Sequence, residues 1–145
     1  MTLTYRYKIV EGRPIAAETR TPLIPITIRG EIAIDTTGIP DSGADFTAVP
    51  LALAEAIGLD LSAKPEDCIG IGGRVKSKDS RMNIEFGNAH EKYRFNIPVK
   101  IILDDYEFPI LLGRQGFFDK FLVTFDEQNQ KVTLKRQSRK NVYRR

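Results

Sequence analysis

Cysteine, histidine and long apolar runs are all scarce in this chain, and each scarcity excludes something. One cysteine, Cys68, leaves no partner for an intrachain disulfide. With one histidine beside it, His90, the chain falls short of the ligand set of a structural zinc site. No apolar run approaches the roughly 20 residues that span a bilayer. The N-terminal "MTLTYRYKIVEG" lacks the continuous apolar core of a signal peptide. A phosphate loop is missing too. The G-x-G-x-x-G pattern opened by Gly70 and Gly72 needs glycine at 75, where Val75 stands, and no Gly-Lys-Ser/Thr follows. These absences point to a cytoplasmic protein with no membrane partner, no metal and no cofactor.

What is there suits one domain. The length of 145 residues fits a single core, and 41% hydrophobic with 28% charged residues is ordinary for a globular chain. The net charge of +3 is unevenly placed. The last fifteen residues, "KVTLKRQSRKNVYRR", carry seven Lys or Arg and no acid, so the rest holds 15 basic against 19 acidic groups. A basic tail can contact nucleic acid or an anionic surface. No aromatic stacking platform accompanies these charges, so a solvated end is the expectation and nucleic acid is not an expected partner.

Strand patterns dominate. "TYRYKIV" and "PLIPITIR" alternate, and "EIAID" after Gly30 suggests a hairpin. "PLALAEAIGL" reads as a short helix, opened near Pro50 and stopped by Gly58. "DCIGIGGRVKSK" is strand-like but carries Gly70, Gly72 and Gly73. "SRMNIEFG" and "KYRFNIPVKII" are strands around the turn "GNAHE", and "PILLG" is a short buried strand. "RQGFFDKF" reads as a helical turn or short helix, and "FLVTFDEQNQKVTL" as a closing hairpin. The expected class is all-β, a closed or sandwiched domain with one or two short helices. His90 is expected in an exposed turn, Cys68 as a small packed residue, and Phe117 and Phe118 in the core.

Three stretches carry chemistry. In Asp41-Ser42-Gly43-Ala44, a carboxylate meets a small hydroxyl and a glycine in a tight loop, and "FTAVP" buries the loop's base. Taken alone, it also fits an Asx turn with a surface acid. The glycines of "CIGIGG" weaken a strand interior, so they suit a hairpin that bends or admits another backbone, or a plain glycine-rich turn. In "ILLGRQGFFD", apolar residues run into Gly113 and Arg114, as a core strand entering a turn would. A second acid motif, Asp35-Thr36-Thr37-Gly38, is read as the turn of a hairpin whose return strand delivers Asp41.

The order and spacing of these stretches, from about Pro22 to Leu134, resemble the retropepsin-like aspartic proteases. "DSGADFTAVP" looks like that family's active-site loop, "IGIGG" like the tip of its flap, and "LLGRQGFFDKF" like its closing strand and helix. Pro40 departs from the bulky apolar residue usual before the aspartate. The resemblance implies a closed acid-protease barrel over residues 22–134. Residues 1–21 are then an N-terminal strand or extension, and 135–145 a basic tail. It assigns catalysis to Asp41, Ser42 and Gly43, and substrate contact to Ala44, Asp45, Ile71, Gly72 and Gly73. Gly113 and Arg114 give structural support, Arg114 through a partly buried ion pair with Asp45.

Carboxylate-catalysed peptide hydrolysis needs one group to accept a proton from water and another to donate one to the carbonyl oxygen. The chain has a single D-[ST]-G-A and no room for a second such lobe. A homodimer that brings two copies of Asp41 to its axis supplies the pair, as the resemblance also implies. Two carboxylates about 3 Å apart repel by roughly 5 kcal/mol at an effective dielectric near 20, so one proton is shared between them. The expected function is an aspartic endopeptidase acting on extended polypeptide. A dimeric peptide-binding module without activity is the alternative on the same fold, and a basic-tailed nucleic-acid barrel leaves "DSGAD" unexplained.

Overall fold

The structure, a computed structural model, describes residues 2–10, 19–70, 73–105 and 107–138. Alternation of apolar and polar residues becomes alternation of buried and exposed ones. In β4 (Ile24–Arg29), Ile24, Ile26 and Ile28 point inward. In β8 (Gly73–Gly87) Met82, Ile84 and Phe86 do so, and in β9 (Lys92–Ile102) Ile97, Val99 and Ile101. With β5 (Ala33–Pro40), β6 (Thr47–Pro50) and β10 (Ile110–Leu112), these strands run β4-β5-β10-β6-β9-β8. A further β8–β4 pairing closes them into a six-stranded barrel around that core. β7 (Glu66–Gly70) pairs only with β8, from Glu66↔Ser77 to Gly70↔Gly73.

A second layer caps the barrel. β1 (Thr2–Arg6), β12 (Lys131–Arg136) and β11 (Phe121–Asp126) form a three-stranded antiparallel sheet, while β2 (Lys8–Ile9) and β3 (Arg20–Thr21) pair separately. Leu3, Tyr7, Val132 and Leu134 join the core from this side. Phe86, Phe117 and Phe121 bind the two layers, with ring centroids 5.3–5.7 Å apart. His90 is exposed in the β8–β9 turn and Phe117 is buried, as expected.

The helix α1 (Leu51–Ile57) ends where Gly58 takes the left-handed conformation at φ 74°, its N–H donating to the carbonyls of Ala54 and Glu55. Glu31 N–H donates to the Ile57 carbonyl at 2.7 Å, tying the helix end to the β4–β5 turn.

One expectation is corrected. Asp35-Thr36-Thr37-Gly38 is not a turn but the middle of β5, paired without a break to β4 from Ile24↔Gly38 to Arg29↔Ala33. Thr27 hydroxyl donates to Asp35 at 2.6 Å, and a side chain at Gly38 would strike Leu112, so both residues serve sheet packing. Of the two readings of "RQGFFDKF", a helical turn and a short helix, the structure has turns over 114–120. Phe118 and Asp119 N–H groups reach five residues back, to Gly113 and Arg114, and the single bond of α-helical spacing is Phe121 N–H to the Phe117 carbonyl at 3.1 Å. α1 is the one α-helix among the described residues.

Candidate active site

Asp41 stands where β5 ends. β10 lies parallel to β5, with Leu112 beside Pro40, and antiparallel to β6, with Leu111 beside Ala48. Pro40 has no N–H, but it does not break the entry to the loop: it stays buried in the strand, and Asp41 N–H donates to the Leu112 carbonyl at 2.9 Å. The chain then turns at once. Ala44 N–H returns to the Asp41 carbonyl at 3.1 Å, and Gly43 N–H donates to Asp41 Oδ1 at 3.0 Å. The Asx turn therefore exists, and it fixes the carboxylate rather than spending it on the surface. A Cβ at Gly43 would lie 3.2 Å from Asp41 Oδ1, closer than ordinary packing allows. Among the described residues no basic side chain pairs with Asp41, so its charge is not already neutralised.

The loop is clamped from the far side by the segment after β10. Arg114 N–H donates to the Ala44 carbonyl at 2.8 Å, and Gln115 N–H to the Asp45 carbonyl at 2.9 Å. The Arg114 guanidinium donates to the Ser42 carbonyl at 3.0 Å and to the Asp45 carboxylate. The Asp45–Arg114 ion pair forms, but it is a surface pair, not a partly buried one: the side chains are 67% and 54% exposed. The clamp lies just past the ends of β5 and β10, at Pro40 and Leu112. Gly113 is buried at the closest approach, because a Cβ there would sit 2.3 Å from the Phe46 carbonyl. Its N–H donates to the buried Thr47 hydroxyl at 3.3 Å. Thr47 is a support the sequence reading missed. Its place two residues past Asp45, in an alternating strand, gave only a packing signal.

The glycine stretch is a hairpin of β7 and the start of β8. Ile71 and Gly72, its expected tip, lie outside the described residues. A Cβ at Gly70 or Gly73 would meet nothing within 4 Å, and Gly73 has φ 108°. Gly73 answers a turn's backbone demand, and neither glycine packs against a described residue. Ile69 is exposed beside them, and Cys68 is a half-buried free thiol.

A carboxylate is thus held at a strand end, braced by a glycine and an arginine that follow a neighbouring strand. Residues 24–115, more than half of the chain, match the family described as aspartyl protease, and the chain belongs to it. Among solved structures it is similar to a retropepsin-like aspartic protease from Rickettsia conorii, with 17% identity and a TM-score of 0.61 over 92% of this chain and 89% of that one. The retroviral protease-like domain of Ddi1 from Leishmania major matches 84% of this chain and 98% of its own at 15% identity, TM-score 0.49. At these identities the first likeness shows the fold: a retropepsin-like barrel. No curated protein matches the chain.

Proposed function

We propose that the protein is an aspartic endopeptidase that hydrolyses extended polypeptides, with its catalytic pair formed by Asp41 of two copies in a homodimer. Family membership supplies the general protease kind. The observation that carries the finer reading is the state of Asp41. Its orientation is fixed by the Gly43 N–H, it has no basic partner among the described residues, and the other carboxylate of its loop, Asp45, is already paired with Arg114. Such a group is half of an acid–base pair, and a two-fold axis supplies the other half at no cost in sequence.

Across that axis the repulsion between carboxylates holds one shared proton. The ionised member takes a proton from water as the water oxygen bonds to the substrate carbonyl carbon. The neutral member gives its proton to the carbonyl oxygen. The tetrahedral gem-diol then collapses: the C–N bond breaks as the amine nitrogen takes the proton of the neutral member, one diol hydroxyl gives its proton to the ionised member as its C=O forms, and the singly protonated state returns. Ser42 and Gly43 keep the loop rigid and open, and Ala44 and Asp45 border the substrate. The hairpin, through Ile71, Gly72 and Gly73, closes over an extended peptide and excludes water. Gly113 and Arg114 brace the loop from below.

The test is incubation with a mixed peptide library from acid to neutral pH, beside Asp41→Asn. Cleavage by the natural sequence and not by the variant is expected. No cleavage at any pH, at concentrations where a dimer is demonstrated, would contradict the proposal and favour a binding module.

A further inference from the structure

Lys100 occupies a position that neither the composition nor the motifs single out. It lies on β9, beside Ala48 of β6 on one flank and Asp79 of β8 on the other. Direct cross-strand neighbours share a face, so the row Ile39–Leu111–Ala48–Lys100–Asp79 crosses five strands on the side opposite the buried core. The first four are half-buried, and the row begins two residues before Asp41. A lysine there is unusual, because its side chain is only 20% exposed.

Three contacts hold it, each from a different segment. Nζ lies 2.5 Å from Asp79 Oδ1 on β8 and 3.5 Å from Glu66 Oε2 on β7. It also sits 5.3 Å from the centroid of the Phe46 ring, at the end of the active-site loop. Asp79 and then Glu66 outweigh the effect of burial and raise the lysine's pKa, so the ammonium stays charged. Phe46 in turn lies against Gly113 and bridges to Gln115. One ammonium thus touches both strands of the glycine hairpin and the aromatic residue wedged under the loop clamp.

The hairpin needs such an anchor. β9 ends at Ile102, opposite Ser77, Leu103 N–H adds a last bond to the Lys76 carbonyl at 2.9 Å, and beyond it, among the described residues, 67–70 pair only with 73–76. A free two-stranded ribbon is marginal in water, and across this one the Lys76–Asp67 pair at 2.6 Å is exposed on both sides. Glu66 is the first paired residue of β7, so its contact with Lys100 is made where the ribbon leaves the barrel.

We propose that Lys100 is a positioning residue, an ionic anchor that fixes the base of the β7–β8 hairpin relative to the Asp41 loop and so sets how the hairpin closes on a peptide. The closing role rests on the peptidase reading; the anchor does not. The test is amide hydrogen exchange along the chain, with peptide-cleavage kinetics measured in parallel, for the natural sequence, Lys100→Met and Lys100→Arg. In Lys100→Met, exchange at residues 66–70 and 73–76 rises about fivefold to tenfold while the barrel strands β4 and β9 are unchanged, and Lys100→Arg restores it. KM rises by a similar factor with kcat within about twofold, because Asp41 is untouched. A merely structural lysine would lower the folded fraction, hence apparent kcat, and speed exchange everywhere. If Lys100→Met does not fold, Asp79→Asn with Glu66→Gln, which keeps the lysine chain, carries the same expectation. Hairpin exchange unchanged, or raised uniformly with the barrel, overturns the anchor. Absence of any cleavage by the natural sequence removes the peptidase reading, and the exchange comparison still decides for or against Lys100.

Discussion

Gly38 and Gly113, under the active-site loop, and Gly70 and Gly73, in the hairpin, show one residue type used in two opposite ways. The first pair is buried in contact: a Cβ would meet Leu112 at 2.8 Å or the Phe46 carbonyl at 2.3 Å. A Cβ on either of the second pair would meet no described atom within 4 Å. The loop is held by backbone bonds from two directions, whereas beyond the Leu103–Lys76 bond the described residues of the ribbon pair only with each other. A rigid half and a compliant half are what a site needs if one part must hold a carboxylate still and the other must admit and cover a chain.

The strongest way to probe the rigid half is to remove its charge without touching its packing. Asp41→Asn keeps the shape of the loop, so folding stability should change by less than about 1 kcal/mol while peptide cleavage falls by about three orders of magnitude or more. Thermal melts beside cleavage rates check both. Gly113→Ala attacks the packing instead. With no room against Phe46 it should cost about 3 kcal/mol, read as a lower denaturation midpoint at constant slope. Arg114→Met removes an exposed ion pair and the bond to the Ser42 carbonyl, and about 1 kcal/mol is expected. In the compliant half the contrast is sharpest: Gly70→Ala should shift stability by no more than about 0.5 kcal/mol. A Gly70 variant as costly as Gly113→Ala would break the comparison.

The smallest effect lies away from both regions. Hydrogen bonds from the Asn129 side chain and backbone hold the Asp126 carboxyl below its ordinary 3.8, and Ser62 does the same for Asp60. A depressed folded-state pKa stabilises above the ordinary value and is lost as pH falls through the folded one. Asp126→Asn should therefore flatten the acid-unfolding curve below about pH 4 and leave the neutral range nearly unchanged.

Much of this contrast was legible in the sequence. "DSGAD", the double glycine and "LLGR" are local signals with fixed spacing, and alternation gave the strands. Asp35-Thr36-Thr37-Gly38 misled because its composition is that of a turn, yet pairing with β4 and β10 on both sides outweighs local preference. "RQGFFDKF" left a helical turn and a short helix open, and Gly116, at φ 97°, with the burial of Phe117, decides for turns. Lys100 was invisible, since its three partners lie 54, 34 and 21 residues away along the chain and meet it only through strand register. The exposure of the Asp45–Arg114 pair depends on which strands end nearby, and that too is a property of topology.

The half-site is tested most directly by measuring cleavage per mole of chain as the protein is diluted, with molecular mass followed in the same samples. The account predicts that specific activity falls in proportion to the dimer fraction and vanishes for the monomer. Undiminished specific activity in samples shown to be monomeric would contradict it.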